Sequence, residues 1–212
     1  MQVVSTNRGA PTSLEWKGNP VISGIYKRPE HDGIYLTRSG VRNDTVGNPE
    51  VHGGQFKACY LFDADTYAYW KSEYPNLNWQ FGMFGENLSV SGLDEGKLII
   101  GSEYAVGQAI VRITTPREPC FKLGIRFEDQ GIIEKFIAYA RPGTYVEVLQ
   151  DGLIKAGDEL KLLNQPHSKV SVIQYFRMLF ENEKDPEILK QALSWPFING
   201  KTRDMLNRWN RP

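Results

Sequence analysis

The chain predicts a mainly β, α+β fold: a closed or folded-over β-barrel of short strands with a few surface helices, followed by a small three-helix appendage. Three observations predict it. Short segments of strand character recur between Val21 and Leu163, separated by Gly, Asn, Asp and Pro. After Pro166 the apolar residues change to helical spacing. The 212 residues, 41% of them hydrophobic and 12% aromatic, suffice to bury a substantial core in one domain or one domain plus an appendage.

Taken in order, residues 6–20 contain Gly9, Pro11, Gly18 and Pro20 with no sustained period. They are expected to be a loosely docked lead-in, with regular structure starting near Val21. Strand character is read at 21–26, 33–36, 57–62, 97–100, 109–114, 144–149 and 159–163. The clearest is 109–114, where Ala109-Ile110-Val111-Arg112-Ile113 sends apolar and other side chains to opposite faces. Two short surface helices interrupt the strands, 64–74 behind an Asp63 cap and 131–139 ended by Pro142.

Past Pro166, Val172, Tyr175, Phe176 and Leu179 share one helix face, Ile188, Leu189, Ala192 and Leu193 a second, and Met205, Leu206 and Trp209 a third. Ser168 or Ser171 caps the first helix, Pro186 starts the second, and Pro196 and Gly200 separate the second from the third. The expected division is a barrel domain over 21–164 and a helical domain over 167–212, the latter too short to stand without docking.

Lys+Arg and Asp+Glu both number 25, which argues against a nucleic-acid or membrane-surface protein, although a neutral total leaves room for a local basic pocket. No apolar run approaches the roughly 20 residues of a membrane span, and Met1-Gln2-Val3-Val4-Ser5 is no export signal, so a cytoplasmic location is expected. Cys59 and Cys120 lie too far apart for a local disulfide framework or Cys-x-x-Cys metal site. His31, His52 and His167 lack the spacing of zinc or non-haem iron ligands.

Chemistry concentrates in four places. Thr115-Pro116-Arg117-Glu118-Pro119-Cys120 follows the clearest strand. Its prolines stiffen the loop, and an arginine beside the cysteine favours the thiolate that a soft metal or a nucleophile needs. A buried structural cysteine is the other reading at this point. Val51-His52-Gly53-Gly54-Gln55-Phe56-Lys57 pairs glycine amides with a cation, which suits an anion as well as it suits a plain tight turn. In Phe84-Gly85-Glu86-Asn87-Leu88, the Asn87 amide could meet a heterocycle edge or brace its own turn. Lys27, Thr37, Arg38 and Arg42 could add cations and a hydroxyl to the same cleft, or be solvated. The cluster Tyr67, Tyr69, Trp70 and Tyr74 is assigned to packing.

In their order these segments resemble the MOSC domain, named after the C-terminal region of molybdenum-cofactor sulfurase. The resemblance runs through Val51-His52-Gly53-Gly54 with Lys57-Ala58, Gly85-Glu86-Asn87-Leu88 with Gly92-Leu93, Pro116-Arg117-Glu118-Pro119-Cys120-Phe121-Lys122-Leu123 and Ala156-Gly157-Asp158. The helices after Pro166 resemble the three-helix appendage of the family's YiiM-like branch. That resemblance implies a reductase of N-hydroxylated bases such as 6-hydroxylaminopurine, using a molybdenum cofactor (Mo-molybdopterin) and electrons from a flavoprotein. It implies Cys120 as the molybdenum ligand and catalytic residue, with His52 as a proton relay. Lys27, Thr37, His52, Gly53, Gly54, Lys57, Asn87 and Arg117 are the implied cofactor-binding residues. A homodimer is the assembly considered. Gly101-Ser102 and Gly143-Thr144-Tyr145-Val146 depart from the family pattern, and Arg141 is expected to replace a positive charge lost at the second. One rival reading is a cofactor or sulfur-carrier module with a Cys120 persulfide; a second is an interaction protein that acts through its three-helix tail.

Overall fold

The structure is a computed structural model that describes residues 1–47 and 53–210. An eight-stranded sheet forms its centre, in the order β13 (Leu160–Asn164), β9 (Glu103–Val106), β10 (Ala109–Pro116), β11 (Thr144–Gln150), β7 (Cys59–Asp63), β8 (Leu88–Ser91), β1 (Gln2–Gly9) and β4 (Lys27–Pro29). Its neighbours pair antiparallel, apart from the parallel pair β7 and β8. A hairpin of β2 (Thr12–Trp16) and β3 (Asn19–Ser23) stands apart, as does a small sheet of β12 (Gly152–Ile154), β5 (Ile34–Thr37) and β6 (Gly40–Val41).

The sheet does not close into a barrel, which corrects the closed form expected above. One side of β1 belongs to β8, and its other side is divided: Asn7 to Gly9 pair with β4. Only the start of β1 remains for the chain before β13, through the single bridge Gln2↔Glu159 and hydrogen bonds such as Leu160 N to Met1 O at 3.0 Å. A continuous ladder between β13 and β1 therefore never forms.

The expected lead-in is also corrected, since β1 is an inner strand and residues 12–23 form the hairpin. Ser5, Thr6 and Asn7 in β1 are buried polar residues held by hydrogen bonds, including Ser5 Oγ to Asn7 Oδ1 at 2.8 Å and Asn7 Nδ2 to Ser89 Oγ at 3.1 Å. Segment 97–100 is no strand and makes only the bridge Ile99↔Ser171, yet Leu98 and Ile100 are buried.

Helices α1 (Tyr67–Glu73), α2 (Phe121–Arg126) and α3 (Ile132–Tyr139) lie on one aromatic core, where Trp70 and Phe136 stack with centroids 6.1 Å apart. Asp63 Oδ1 accepts from Asp65 N at the cap ahead of α1, as expected. Helices α4 (Val172–Phe180), α5 (Pro186–Ser194) and α6 (Gly200–Trp209) follow β13. Ser171 caps α4 in a reciprocal box with Gln174. These helices are docked: Val172, Tyr175, Leu189 and Leu206 share the main apolar core with Val111 and Ile113 of β10. No helix among the described residues is long and apolar enough to cross a membrane.

Candidate functional site

Strand β10 delivers the cysteine loop. Near its end, Thr114 Oγ1 lies 2.6 Å from Phe56 O and 3.0 Å from Tyr145 O, tying the strand to the turn Gln55–Lys57 and to β11. The chain then passes through Arg117 and reaches Cys120, whose backbone is extended (φ −140°, ψ 170°) before α2 begins. Leu123 N donates to Cys120 O at 2.8 Å. On the outer side, Trp16 at the end of β2 stacks on Phe121 with centroids 4.7 Å apart.

Cys120 is a free, partly exposed thiol that lines a cleft. Lys27, Lys57, Asn87 and Arg117 line the same cleft, so residues far apart in the chain converge there. Thr37 does not line it; its hydroxyl donates to Gly40 O at 2.7 Å, beside a separate shallow surface depression. Gly53 and Gly54 are not lining residues either; Gly54 (φ +89°) precedes the turn Gln55–Lys57. His52 lies outside the described residues.

Two lining residues reveal partners that the sequence reading did not foresee. Lys27, only 5% exposed, binds both oxygens of Asp44, at 2.7 and 2.5 Å. Asp44 also accepts from Gly9 N at 2.7 Å and Asn87 Nδ2 at 2.9 Å, so its carboxylate is satisfied and the Lys27 charge is matched. Asn87 also donates to Asn7 O at 3.3 Å, and its Oδ1 accepts from Tyr60 N at 3.2 Å. Bracing is thus what its amide does, across β1, β7 and the Asp44 loop. The preceding Glu86 is fully buried and accepts from Gly82 N, Phe84 N, Ser89 Oγ and the Tyr67 hydroxyl, organising the turn below the cleft.

Arg117 contrasts with both. It is 5% exposed, its guanidinium sits 5.4 Å from the Tyr60 ring centroid, and its Nη1 has no hydrogen-bond partner. Lys57 lies nearby, with Nζ 5.5 Å from the Tyr145 ring centroid. Burial pulls its ammonium below the ordinary lysine pKa, Glu118 opposes that shift and Arg117 adds to it. Lys122, on the first turn of α2, is buried and lines the cleft as well. Among the described residues the lining sets four cations, Lys27, Lys57, Arg117 and Lys122, against the single carboxylate of Asp44, which a neutral total charge concealed.

Asp44, Lys122, Tyr60 and Tyr145 are among the lining residues that sequence reasoning left unassigned. Lys122 had a signal, two positions beyond the cysteine in the same motif. Asp44 had none, because its partners come from distant strands. Arg141 does not replace a charge at the cleft: it pairs with Asp63 at 2.6 Å and Glu95 at 2.5 Å and is not a lining residue.

Two further stretches of the lining run backbone to backbone. A Cβ on Gly24 would sit 1.9 Å from Thr45 O, and one on Gly47 would sit 2.2 Å from Ile22 O. Val46, next to Gly47 in the second segment, also lines the cleft and is 39% exposed.

The sequence profile of the MOSC domain matches residues 48–161, which include Lys57, Asn87, Arg117 and Cys120. YflK of Bacillus subtilis is 32% identical over 192 residues, covering 91% of this chain and 86% of that protein. A protein of Gibberella moniliformis named "Reductase" is 31% identical over 186 residues, covering 86% of this chain and 33% of that longer protein. The crystal structure of YiiM from Geobacillus stearothermophilus superposes with a TM-score of 0.82 at 25% identity, covering 99% of both chains.

Proposed function

The chain belongs to the MOSC domain family, and from that premise we propose that it is a molybdenum-cofactor-dependent reductase of N-hydroxylated compounds, with 6-hydroxylaminopurine as the representative base. The observation that carries the reading is Arg117, a buried guanidinium with an orphaned N–H in the wall that also holds a partly exposed thiol. A charge desolvated without a counterion is costly, and the arrangement is completed by an anionic group entering the cleft. A thiolate-ligated, phosphate-bearing cofactor meets that requirement. The name of the Gibberella relative supports reductive chemistry in the same family.

In this reading Cys120 Sγ is the protein's metal ligand, and Arg117 and Lys122 offset the thiolate and the cofactor's anionic groups. Lys27 contributes less charge, since Asp44 already matches it. When bound, the cofactor supplies two-electron redox chemistry, with a flavoprotein as electron donor. The overall conversion takes R–NH–OH, two electrons and two protons to R–NH2 and water. Tyr60 and Tyr145, buried with ring centroids 5.2 Å apart, limit water on the Arg117 side, and the open part of the cleft admits the base.

The test is metal analysis of protein from a host that makes molybdopterin. Near-stoichiometric molybdenum is expected in the parent protein and none in Cys120→Ala, with hydroxylaminopurine reduction lost alongside it. Labile sulfur on Cys120 without molybdenum, from a host that loads a control molybdoenzyme, would replace this reading with the sulfur carrier.

A further inference from the structure

A buried guanidinium needs support, and a carboxylate would supply it at the expense of the charge. At Arg117 a ring stands in that place. The guanidinium carbon lies 5.4 Å from the Tyr60 ring centroid, within the reach at which the negative face of an aromatic ring attracts a cation. We propose that Tyr60 is a positioning residue: its ring face holds Arg117 in place without neutralising it, so that the unpaired Nη1 stays available to an anion entering the cleft. The inference rests on the anionic-ligand part of the reductase reading.

Tyr60 has the fixity that such a platform needs. It lies in β7, 3% exposed, and is fastened from backbone to tip: its N–H donates to Asn87 Oδ1 at 3.2 Å, its carbonyl accepts from Asn87 N at 2.8 Å, and its hydroxyl donates to Pro142 O at 2.8 Å. Tyr145 supports the ring from β11, with centroids 5.2 Å apart and planes inclined by 40°, and Phe62 packs at 6.2 Å. A ring held at both ends cannot follow a moving guanidinium, so the guanidinium takes its position from the ring. A π face also occupies none of an arginine's N–H donors, whereas the carboxylates at Arg141 take up Nε and Nη2. Lys27 shows the other choice within the cleft, since both oxygens of Asp44 bind its ammonium. Tyr60, Arg117 and Cys120 all line the cleft, which sets the supported charge and the thiol around one space.

Inorganic phosphate is the probe, and calorimetry on the cofactor-free full chain reads its affinity. Tyr60→Leu should weaken phosphate binding about tenfold. Tyr60→Phe, which keeps the ring and loses the bond to Pro142 O, should stay within about threefold of the parent protein. Arg117→Met should by itself lose at least as much as Tyr60→Leu, and adding Tyr60→Leu to it should cost less than about a further twofold. Equal losses in Tyr60→Phe and Tyr60→Leu would make the hydroxyl's scaffold bond the cause and overturn the proposal. A Tyr60→Leu loss undiminished when Arg117 is already replaced would do the same. A parent protein that binds no phosphate would overturn it as well, because the supported charge would have no anion to meet.

Nuclear magnetic resonance of the parent protein gives a readout independent of turnover and of variant folding. Arg117 side-chain N–H protons held against a ring face should resonate upfield of an ordinary arginine and move when phosphate is added; ordinary positions sink the proposal. Metal analysis separates this inference from the functional reading. Phosphate binding that obeys the expected pattern, in a protein that takes up no molybdenum, removes the reductase reading and leaves Tyr60 as the support of Arg117. Normal molybdenum uptake with that pattern broken removes only the Tyr60 assignment.

Discussion

Arg141 and Arg117 are both drawn against the sheet, and the protein treats them in opposite ways. Arg141 is a third exposed and meets two carboxylates, Asp63 and Glu95, as well as Leu93 O at 2.9 Å. Glu95 accepts further from Gly143 N at 3.1 Å, so this triad fastens the loop after β8 to the start of β11. Arg117 is more deeply buried, meets no carboxylate ion pair among the described residues and leaves Nη1 unsatisfied. Where a cation serves architecture its partners are built in; at Arg117, which on the proposed reading awaits an anionic ligand, a partner is withheld. Lys27 with Asp44 shows that the cleft itself contains both arrangements.

The comparison breaks most readily at Arg141. Arg141→Met strands Asp63 and Glu95, so unfolding in urea should show a loss of about 3 kcal/mol. The loss should be larger at pH 8 than at pH 5, because the stranded acids escape part of the penalty by binding protons. Equal losses at the two pH values would mean that the carboxylates are not compensated by Arg141.

At Arg117 the sign should reverse. In cofactor-free protein Arg117→Met removes a desolvated charge with no carboxylate partner among the described residues, and stability should rise by about 1 kcal/mol. Molybdenum retention should fall in the same variant. Destabilisation of the cofactor-free protein to the extent of Arg141→Met would erase the distinction between the two sites.

The smallest expected effect is a slope. Burial raises the Asp63 pKa to about 6, with the Glu95 charge in the same direction and the Asp65 backbone N–H and Arg141 opposing. Folded protein therefore holds this proton more tightly than the unfolded chain, whose aspartate titrates near about 3.9. That contribution to stability is complete below the unfolded value and is lost as pH rises through the folded one. Asp63→Asn, which still caps the turn before α1, should flatten the decline between about pH 4 and 6 in urea titrations. An unchanged slope would place the responsible proton on another group.

Legibility in the sequence followed locality. Strands β10 and β11 show alternating or β-branched residues, and α4, α5 and α6 repeat their apolar faces. Those signals are written in neighbouring positions. Strand β1 was missed because Ser5, Thr6 and Asn7 occupy buried positions where the pattern asks for apolar residues, and their bonds go to distant partners. Helix α2 was missed because only six residues follow Cys120 before Phe127, too few to display a period. The site divides in the same way. The stretch from Arg117 to Lys122 is one continuous word, whereas the Lys27 to Asp44 pair spans a reach of 17 residues and depends on Gly9 and Asn87 as well. Charge alone could not show which lysine would be neutralised.

The interlocked wall of the cleft has a practical meaning for anyone wishing to retune substrate choice. Gly24 and Gly47 hold two backbones closer than any side chain permits, so a library that varies them would mostly return collapsed walls. Val46, which lines the same cleft and is 39% exposed, is the position where size and polarity vary with the scaffold untouched. The protein separates the frame from the aperture, and that separation lets one be redesigned without the other.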